Sequence, residues 1–243
     1  MAHLLVVGAK SDLGRELARL FAAEGYSLYL AARNSGELAE ECEHLRIRYG
    51  VQAVARELDI LEYGAHAGFY ESLEPKPDGV ICAAGYLGDN VKAMEDFREA
   101  KRIMDTNYTG PVSILNICAA DFRKRASGFI IGISSVAGER GKQSNNIYGS
   151  AKAGFSAYLS GLRNSLCKSG VRVITVKPGY MDTRMTRGMK FPPILTAQPE
   201  DAARDIVRAW KKGRDVVYTK WIWKFIMVVI IHIPEKIFKK INF

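Results

Sequence analysis

His3-Leu4-Leu5-Val6-Val7-Gly8-Ala9-Lys10-Ser11-Asp12-Leu13-Gly14 contains, in one short stretch, an apolar strand, a glycine turn and the start of a helix. Beyond it Leu13, Leu17, Leu20 and Phe21 fall on one face of a helix that runs to about Gly25. The same alternation continues outward, with strands expected at 27–32, 53–58, 79–83, 128–133, 171–176 and 216–218. Between them lie a polar helix from an N-cap at Ser35 to Tyr49, and a stretch after Asp59 that reaches Leu73 and breaks at Pro75-Lys76-Pro77-Asp78. Helical sequence comes next at 91–125, interrupted near Asn107 by Gly110-Pro111, and again at 148–169 and 200–212. Near-continuous apolar strands separated by helices predict an α/β fold, a three-layer doubly wound parallel sheet of about seven strands. Residues 1–218 read as one domain and residues 219–243 as an apolar and basic tail.

A chain of 243 residues is long enough to bury a full sheet between helix layers, and 48% hydrophobic with 25% charged residues is ordinary globular composition. Cys42, Cys82, Cys118 and Cys167 are scattered, no C-x-x-C pair occurs and the four histidines do not cluster. No metal site is expected, and a reducing cytoplasm is the expected setting. The apolar run at 4–7 leads straight into a glycine turn without a cleavage site, so no signal peptide is expected. The net charge of +9 is uneven: from Lys211 to Phe243 eight Lys/Arg stand against Asp215 and Glu235, leaving +6 there and +3 before it. Only the tail is strongly basic, and without a nucleic-acid-binding module nucleic acid is not an expected partner.

Chemistry concentrates in Ser134-Ser135-Val136-Ala137-Gly138 and Tyr148-Gly149-Ser150-Ala151-Lys152. Tyr148 and Lys152, four apart on a helix, share a face. A phenol titrates near 10, and bringing it near 7 takes ~4 kcal/mol, for which a neighbouring ammonium has the right sign. Ser135, thirteen residues upstream at a strand end, can hydrogen-bond the same substrate oxygen. That is the outline of a site that protonates an alkoxide or deprotonates an alcohol. Taken alone, the pair reads more readily as a helix-surface contact.

With the glycine turn, Ser135 and Pro178-Gly179 after the sixth strand, the chain resembles the short-chain dehydrogenase/reductase family in its single-domain form, from about Leu4 to Tyr218. The resemblance implies a Rossmann fold and hydride transfer between a nicotinamide and a carbonyl or secondary alcohol. Gly8 and Gly14 match the outer glycines of the family's turn, with Asp12 in place of the middle one. Gly8, Lys10, Ser11, Asp12, Leu13 and Gly14 are expected at the pyrophosphate, which such a turn meets with backbone N–H groups. Asp12 is expected to cap the helix, with Lys10 and Arg15 offsetting its charge. The second strand ends in Ala31-Ala32-Arg33-Asn34, with no acid for a ribose. Arg33 suits a 2′-phosphate, so NADP(H) is expected over NAD(H); the alternative is a solvated loop arginine.

Asp59 and Ile60 match the family's adenine contact. Cys82-Ala83-Ala84-Gly85 replaces its Asn-Asn-Ala-Gly, leaving Ala83, Ala84 and Gly85 to approach the adenosine. Pro178, Gly179 and Thr183 match the segment whose threonine meets the nicotinamide amide. By resemblance, Asn107 supports a water beside the lysine, Ser135 orients the carbonyl and Tyr148 donates the proton. Lys152 lowers the Tyr148 pKa and, with Tyr148, holds the nicotinamide ribose. Ser134 competes with Ser135, but the spacing favours the latter; Asn107 as a helix cap and Thr183 as an ordinary loop residue are the alternatives. A serine hydrolase is excluded by the missing second glycine of a nucleophile elbow and the absence of a placed histidine.

The 180–197 stretch interleaves Met181, Met185 and Met189 with Arg184, Arg187 and Lys190. It suits an apolar anionic substrate, or forms a mobile lid with solvated charges. Trp221 to Ile231 is too short to span a bilayer, which takes about 20 apolar residues. With Lys236, Lys239 and Lys240 it fits a segment lying on an anionic membrane at the inner face, or else a subunit interface or pocket wall. The Ala84–Asp89 stretch, the substituted turn and this tail also resemble family reductases acting on polyprenyl-phosphate keto-sugars. The expected partners are therefore a small or lipid-linked carbonyl substrate and, as in many relatives, further copies in a homodimer or homotetramer. A dinucleotide-binding sensor without turnover and a membrane-surface scaffold are the competing functions.

Overall fold

In the computed structural model, which describes residues 2–241, the strands are β1 (His3–Val7), β2 (Ser27–Ala32), β3 (Ala53–Glu57), β4 (Gly79–Cys82), β5 (Phe129–Ile133), β6 (Arg172–Pro178), β7 (Tyr180–Met181), β8 (Thr196–Ala197) and β9 (Val216–Thr219). Seven of them form one parallel sheet in the order β3-β2-β1-β4-β5-β6-β9, and β7 pairs with β8 separately. Successive strand residues face opposite sides, so Leu4, Val6, Leu28 and Leu30 enter one core while Leu5, Val7, Tyr29 and Ala31 enter the other. Both faces are covered, as the uninterrupted apolar strands require.

The first face packs against α1 (Asp12–Ala23), α2 (Ala39–Tyr49) and α8 (Pro199–Lys211), through Leu17, Phe21, Leu45 and Ile206. On the second lie α3 (His66–Glu71), α6 (Gly110–Arg125) and α7 (Asn146–Leu166), through Tyr70, Ile114, Phe122, Phe155 and Leu159. The chain leaves β1 for β2 on one side and β4 lies on the other. That reversal opens a crevice beyond the carboxyl ends of the central strands.

Strand boundaries moved by no more than two residues, most at β6, which continues through Pro178. The helix expected from an N-cap at Ser35 begins as a tighter turn at Ser35–Leu38 before α2, and the stretch after Asp59 is α-helical only over α3. The expected 91–125 helix is α4 (Asn90–Glu95), then, after a break at the extended N-cap Asp96, α5 (Phe97–Met104) and α6 joined by a π-turn at Asp105–Thr109. Pro111 lies in the first turn of α6, where a missing N–H is tolerated, so the helix path bulges at Asn107 instead of breaking. The helix expected at 148–169 is α7, which starts at Asn146 and ends at Leu166.

Within the tail, α9 (Ile222–His232) and α10 (Glu235–Phe238) form a third cluster, in which Trp223, Met227, Ile230 and Phe238 pack with Val136. Met1, Asn242 and Phe243, which the 1–218 and 219–243 divisions include, lie outside the described residues.

Candidate active site

Gly8 has a φ of +79°, and a Cβ there would lie 2.6 Å from the Ala84 backbone nitrogen. Only glycine lets the β1 turn pass this close to the end of β4. Gly14 lets α1 settle on the turn, since a Cβ would come within 2.7 Å of the Gly8 carbonyl; it sits behind the cleft wall. Ser11, not Asp12, is the N-cap: its hydroxyl accepts from Gly14 N–H at 3.1 Å and donates to Gly8 C=O at 2.8 Å. Asp12 is the first residue inside the helix and its carboxylate turns to Arg184, accepting from the backbone N–H at 2.7 Å and from Nε at 2.8 Å. Its charge is therefore offset by Arg184, because Lys10 pairs with Glu37 at 2.6 Å. The glycine cradle, a donor-rich helix start and the cleft beyond them fit a dinucleotide's pyrophosphate.

Lys10, Ser11, Asp12, Leu13, Arg33, Ile60, Ala83, Ala84 and Gly85 line one end of a cleft of about 1360 Å³. Arg33 is exposed at its rim, and Glu57 fixes the loop behind it by accepting from Asn34 N–H at 2.8 Å and Ser35 N–H at 2.7 Å. Asp59 departs from expectation: its carboxylate accepts from Leu61 N–H at 3.0 Å, capping its own loop, and only its neighbours Leu58, Ile60 and Leu61 reach the cleft.

At the other end stand Ser135, Tyr148, Lys152, Pro178, Gly179 and Thr183. Ser134 is resolved as structural: its hydroxyl donates to Lys152 C=O at 2.9 Å and meets Ser156 Oγ at 2.7 Å, tying the end of β5 to α7. Ser135 caps the next turn by accepting from Ala137 N–H at 3.1 Å, and its hydroxyl lies beside the Tyr148 phenol, whose pKa it lowers. Lys152 is buried, donates to Ile133 C=O at 3.0 Å and lies 5.8 Å from the Tyr148 ring centre.

Burial dominates both groups. It pushes the Tyr148 phenol up to about 12, opposed only by the Ser135 hydroxyl, and pulls the Lys152 ammonium down to about 8. The expected lowering of the phenol by the lysine is not found here, because the ammonium is aimed at a carbonyl at the strand end. The arrangement holds a neutral, protonated phenol at neutral pH.

Asn107 is fully buried in the π-turn and lies behind the cleft wall. Its amide donates to Tyr86 C=O at 2.6 Å and Ile103 C=O at 2.8 Å and accepts from Tyr86 N–H at 3.2 Å. It thus fixes the Gly85-Tyr86 backbone, and a Cβ on Gly85 would lie 3.3 Å from Asn107 and 3.7 Å from Lys152 Nζ. Thr183 starts the short turn that carries Arg184 and Met185, with its hydroxyl 3.1 Å from that of Thr186.

Three wall residues stood out poorly in the sequence. Tyr180 stacks on Phe191 with centres 4.1 Å apart, and Trp223 meets Tyr180 edge-on at 4.9 Å. The Trp223 indole donates to Leu195 C=O at 3.0 Å, and a Cβ on Gly179 would fall 2.0 Å from it. Glycine after Pro178 therefore makes room for the tail; the pairing of the two could not be read from their separate motifs. Arg140 clasps that tail, donating to Ile230, Ile231 and Ile233 carbonyls at 3.1, 2.9 and 2.7 Å and to Glu235 at 2.8 Å. None of the four histidines lines the cleft, and no metal-binding cluster occurs among the described residues. No described helix is long and apolar enough to cross a membrane.

The family model for short chain dehydrogenase matches residues 2–191. An uncharacterized oxidoreductase of Mycobacterium tuberculosis is 37% identical over 242 residues, covering 98% of this chain and 96% of the relative. The bovine dehydrogenase/reductase SDR family member 7B is 32% identical over 238 residues, covering 89% of this chain and 73% of the relative. Among solved structures, a short-chain dehydrogenase from Sphingobium yanoikuyae in complex with NADPH superposes with a TM-score of 0.84 at 22% identity, covering 97% of each chain. That likeness shows the fold, while the family model and the two relatives carry the descent. The chain belongs to the short chain dehydrogenase family, oxidoreductases acting on the CH–OH/C=O pair.

Proposed function

We propose that this protein is an NADPH-dependent carbonyl reductase in which Tyr148 is the proton donor. One observation carries the reading: a protonated phenol beside the Ser135 hydroxyl shares a cleft with a turn built for a pyrophosphate. The nicotinamide supplies the hydride when bound. Ser135 and Tyr148 hydroxyls orient the substrate oxygen, and Tyr148 gives its proton to that oxygen as negative charge develops there. Lys152 and Tyr148 hold the nicotinamide ribose, and Thr183, with Pro178 and Gly179, holds the amide. Asn107 supports the backbone beside Lys152, where a water would link the ammonium to solvent. At the far end Gly8, Lys10, Ser11, Asp12, Leu13 and Gly14 form the pyrophosphate turn, with Ile60 and the 83–85 backbone along the adenosine. Arg33 at the rim supports a 2′-phosphate, as does the NADPH bound by the Sphingobium protein.

Fluorescence titration with NADPH and NADH, followed by a ketone panel with wild type and Tyr148→Phe, tests the reading. Binding without turnover of any carbonyl would favour the silent sensor.

A second reading concerns the substrate: a lipid-linked keto-sugar met at an anionic membrane by the tail, residues 219–243. The aromatic wall of Tyr180, Phe191 and Trp223 suits a sugar face. Beside it, Trp221 (73%) at the N-cap of α9 and Phe225 (60%) and Val229 (66%) within it are exposed along with Lys224. Sedimentation with phosphatidylglycerol vesicles, with and without residues after Lys220, tests the contact, and turnover of a polyprenyl-phosphate keto-sugar tests the substrate. A homodimer or homotetramer is part of the reading and is checked by light scattering.

A further inference from the structure

We propose that Asp12 and Arg184 form an ion-pair latch that closes the substrate-side loop over the cofactor's pyrophosphate and neutralises the carboxylate in the glycine turn. The proposal rests on the dinucleotide reading of the cleft. Asp12 adds a full negative charge to the start of α1, where backbone N–H groups and the helix dipole favour an anionic ligand. Left alone, that carboxylate would repel the pyrophosphate.

It is not left alone. Both oxygens are taken by Arg184, one by the backbone N–H and one by Nε, and the guanidinium also donates to the Lys10 carbonyl of the turn. Arg184 belongs to the loop just after Thr183, so a residue from the nicotinamide end reaches 172 positions back to the pyrophosphate end. Nη1 is not used by Asp12 or Lys10 and stays available to a phosphate oxygen on the same rim, since both residues line the cleft. The latch also anchors the 185–189 segment. Thr186 Oγ1 donates to Met181 C=O at 2.6 Å, and Met185 and Met189 of the same segment line the cleft.

An exposed ion pair of this kind adds little to overall stability, so a role in binding is separable from one in folding. NADPH affinity is measured by fluorescence for wild type, Arg184→Ala, Asp12→Asn and the double variant, each first checked by thermal melting. Arg184→Ala should weaken binding by about tenfold to a hundredfold, and Asp12→Asn by no more than about threefold. Adding Asp12→Asn to Arg184→Ala should recover about tenfold, because the repelling charge is then gone. Trypsin cleavage at Arg187 and Lys190 should accelerate in both single variants and slow with NADPH only where Arg184 is kept.

Unchanged affinity in Arg184→Ala, or a double variant as weak as Arg184→Ala, overturns the latch. A wild type that binds neither nicotinamide overturns the latch together with the reading of the cleft.

Discussion

Lys152 is a buried cation without a carboxylate partner in its immediate hydrogen bonding, and it should make the protein less stable than it could be. Burial pulls its ammonium from 10.5 to about 8, which corresponds to a cost of about 3 kcal/mol for the charged form in the folded state. At pH 7 both folded and unfolded chains hold the proton, so the cost is present in full. Lys152→Met removes it, while losing the bond to Ile133 C=O costs about 1 kcal/mol. The net gain is about 2 kcal/mol, or about 4–8 °C in melting temperature for a chain of this size.

The pH dependence is the sharper measurement. Between about pH 8 and 10.5 the folded protein releases a proton that the unfolded chain keeps, so wild-type stability rises with pH there. Urea unfolding should show the gap between variant and wild type narrowing by about 2 kcal/mol from pH 7 to about pH 9.5. Tyr148, raised to about 12, acts in the opposite sense only above its unfolded value near 10, and it is common to both proteins. A variant less stable than wild type at pH 7, or a gap that does not change with pH, would refute the assignment of a desolvated ammonium at this position.

Tyr148→Phe should lower turnover by about 10²–10⁴-fold, as expected for a lost general acid, while NADPH affinity falls by no more than about tenfold through the lost ribose bond. Carbonyl reduction should hold its rate from pH 6 to about pH 7.5 and alcohol oxidation should climb with pH, since the phenol stays protonated until near 12; stopped-flow profiles in both directions check the pair. Gly8→Ala should abolish dinucleotide binding, because its Cβ meets the Ala84 nitrogen at 2.6 Å in a φ of +79°; normal titration by NADPH would contradict the cradle. Arg140→Ala should release α9 while the sheet stays folded, seen as rapid proteolysis after Lys224 with little change in the main thermal transition.

The elements of the fold were legible because their signals are local. Apolar runs such as 3–7 and 128–133 declare buried strands, and the glycine turn at 8–14 and the i,i+4 spacing of Tyr148 and Lys152 are each readable within a few residues. Features set by distant contacts were not legible. Asp12 looked like a cap because caps are acidic or hydroxylic, yet the hydroxyl of Ser11 won that place and left the carboxylate for a partner far along the chain. The break expected at Gly110-Pro111 ignored that proline is harmless in a first turn. The direction of the Tyr148 shift was misjudged for the same reason. Helical spacing reports which groups are adjacent, whereas the pKa depends on how many protein atoms surround each one. Trp223 read as part of an apolar tail because nothing in its neighbourhood announces Gly179.

That pairing separates two jobs within one molecule. In the proposed reaction, proton delivery falls to residues carried by β5 and α7, whereas the shape offered to the incoming carbonyl falls to a helix hung outside the sheet by Arg140 and the Trp223 indole. Selectivity can therefore drift through changes in α9 without disturbing the reaction itself. Grafting the α9 of a relative onto this scaffold should transfer that relative's preference among ketones and leave the hydrogen-transfer step as it was.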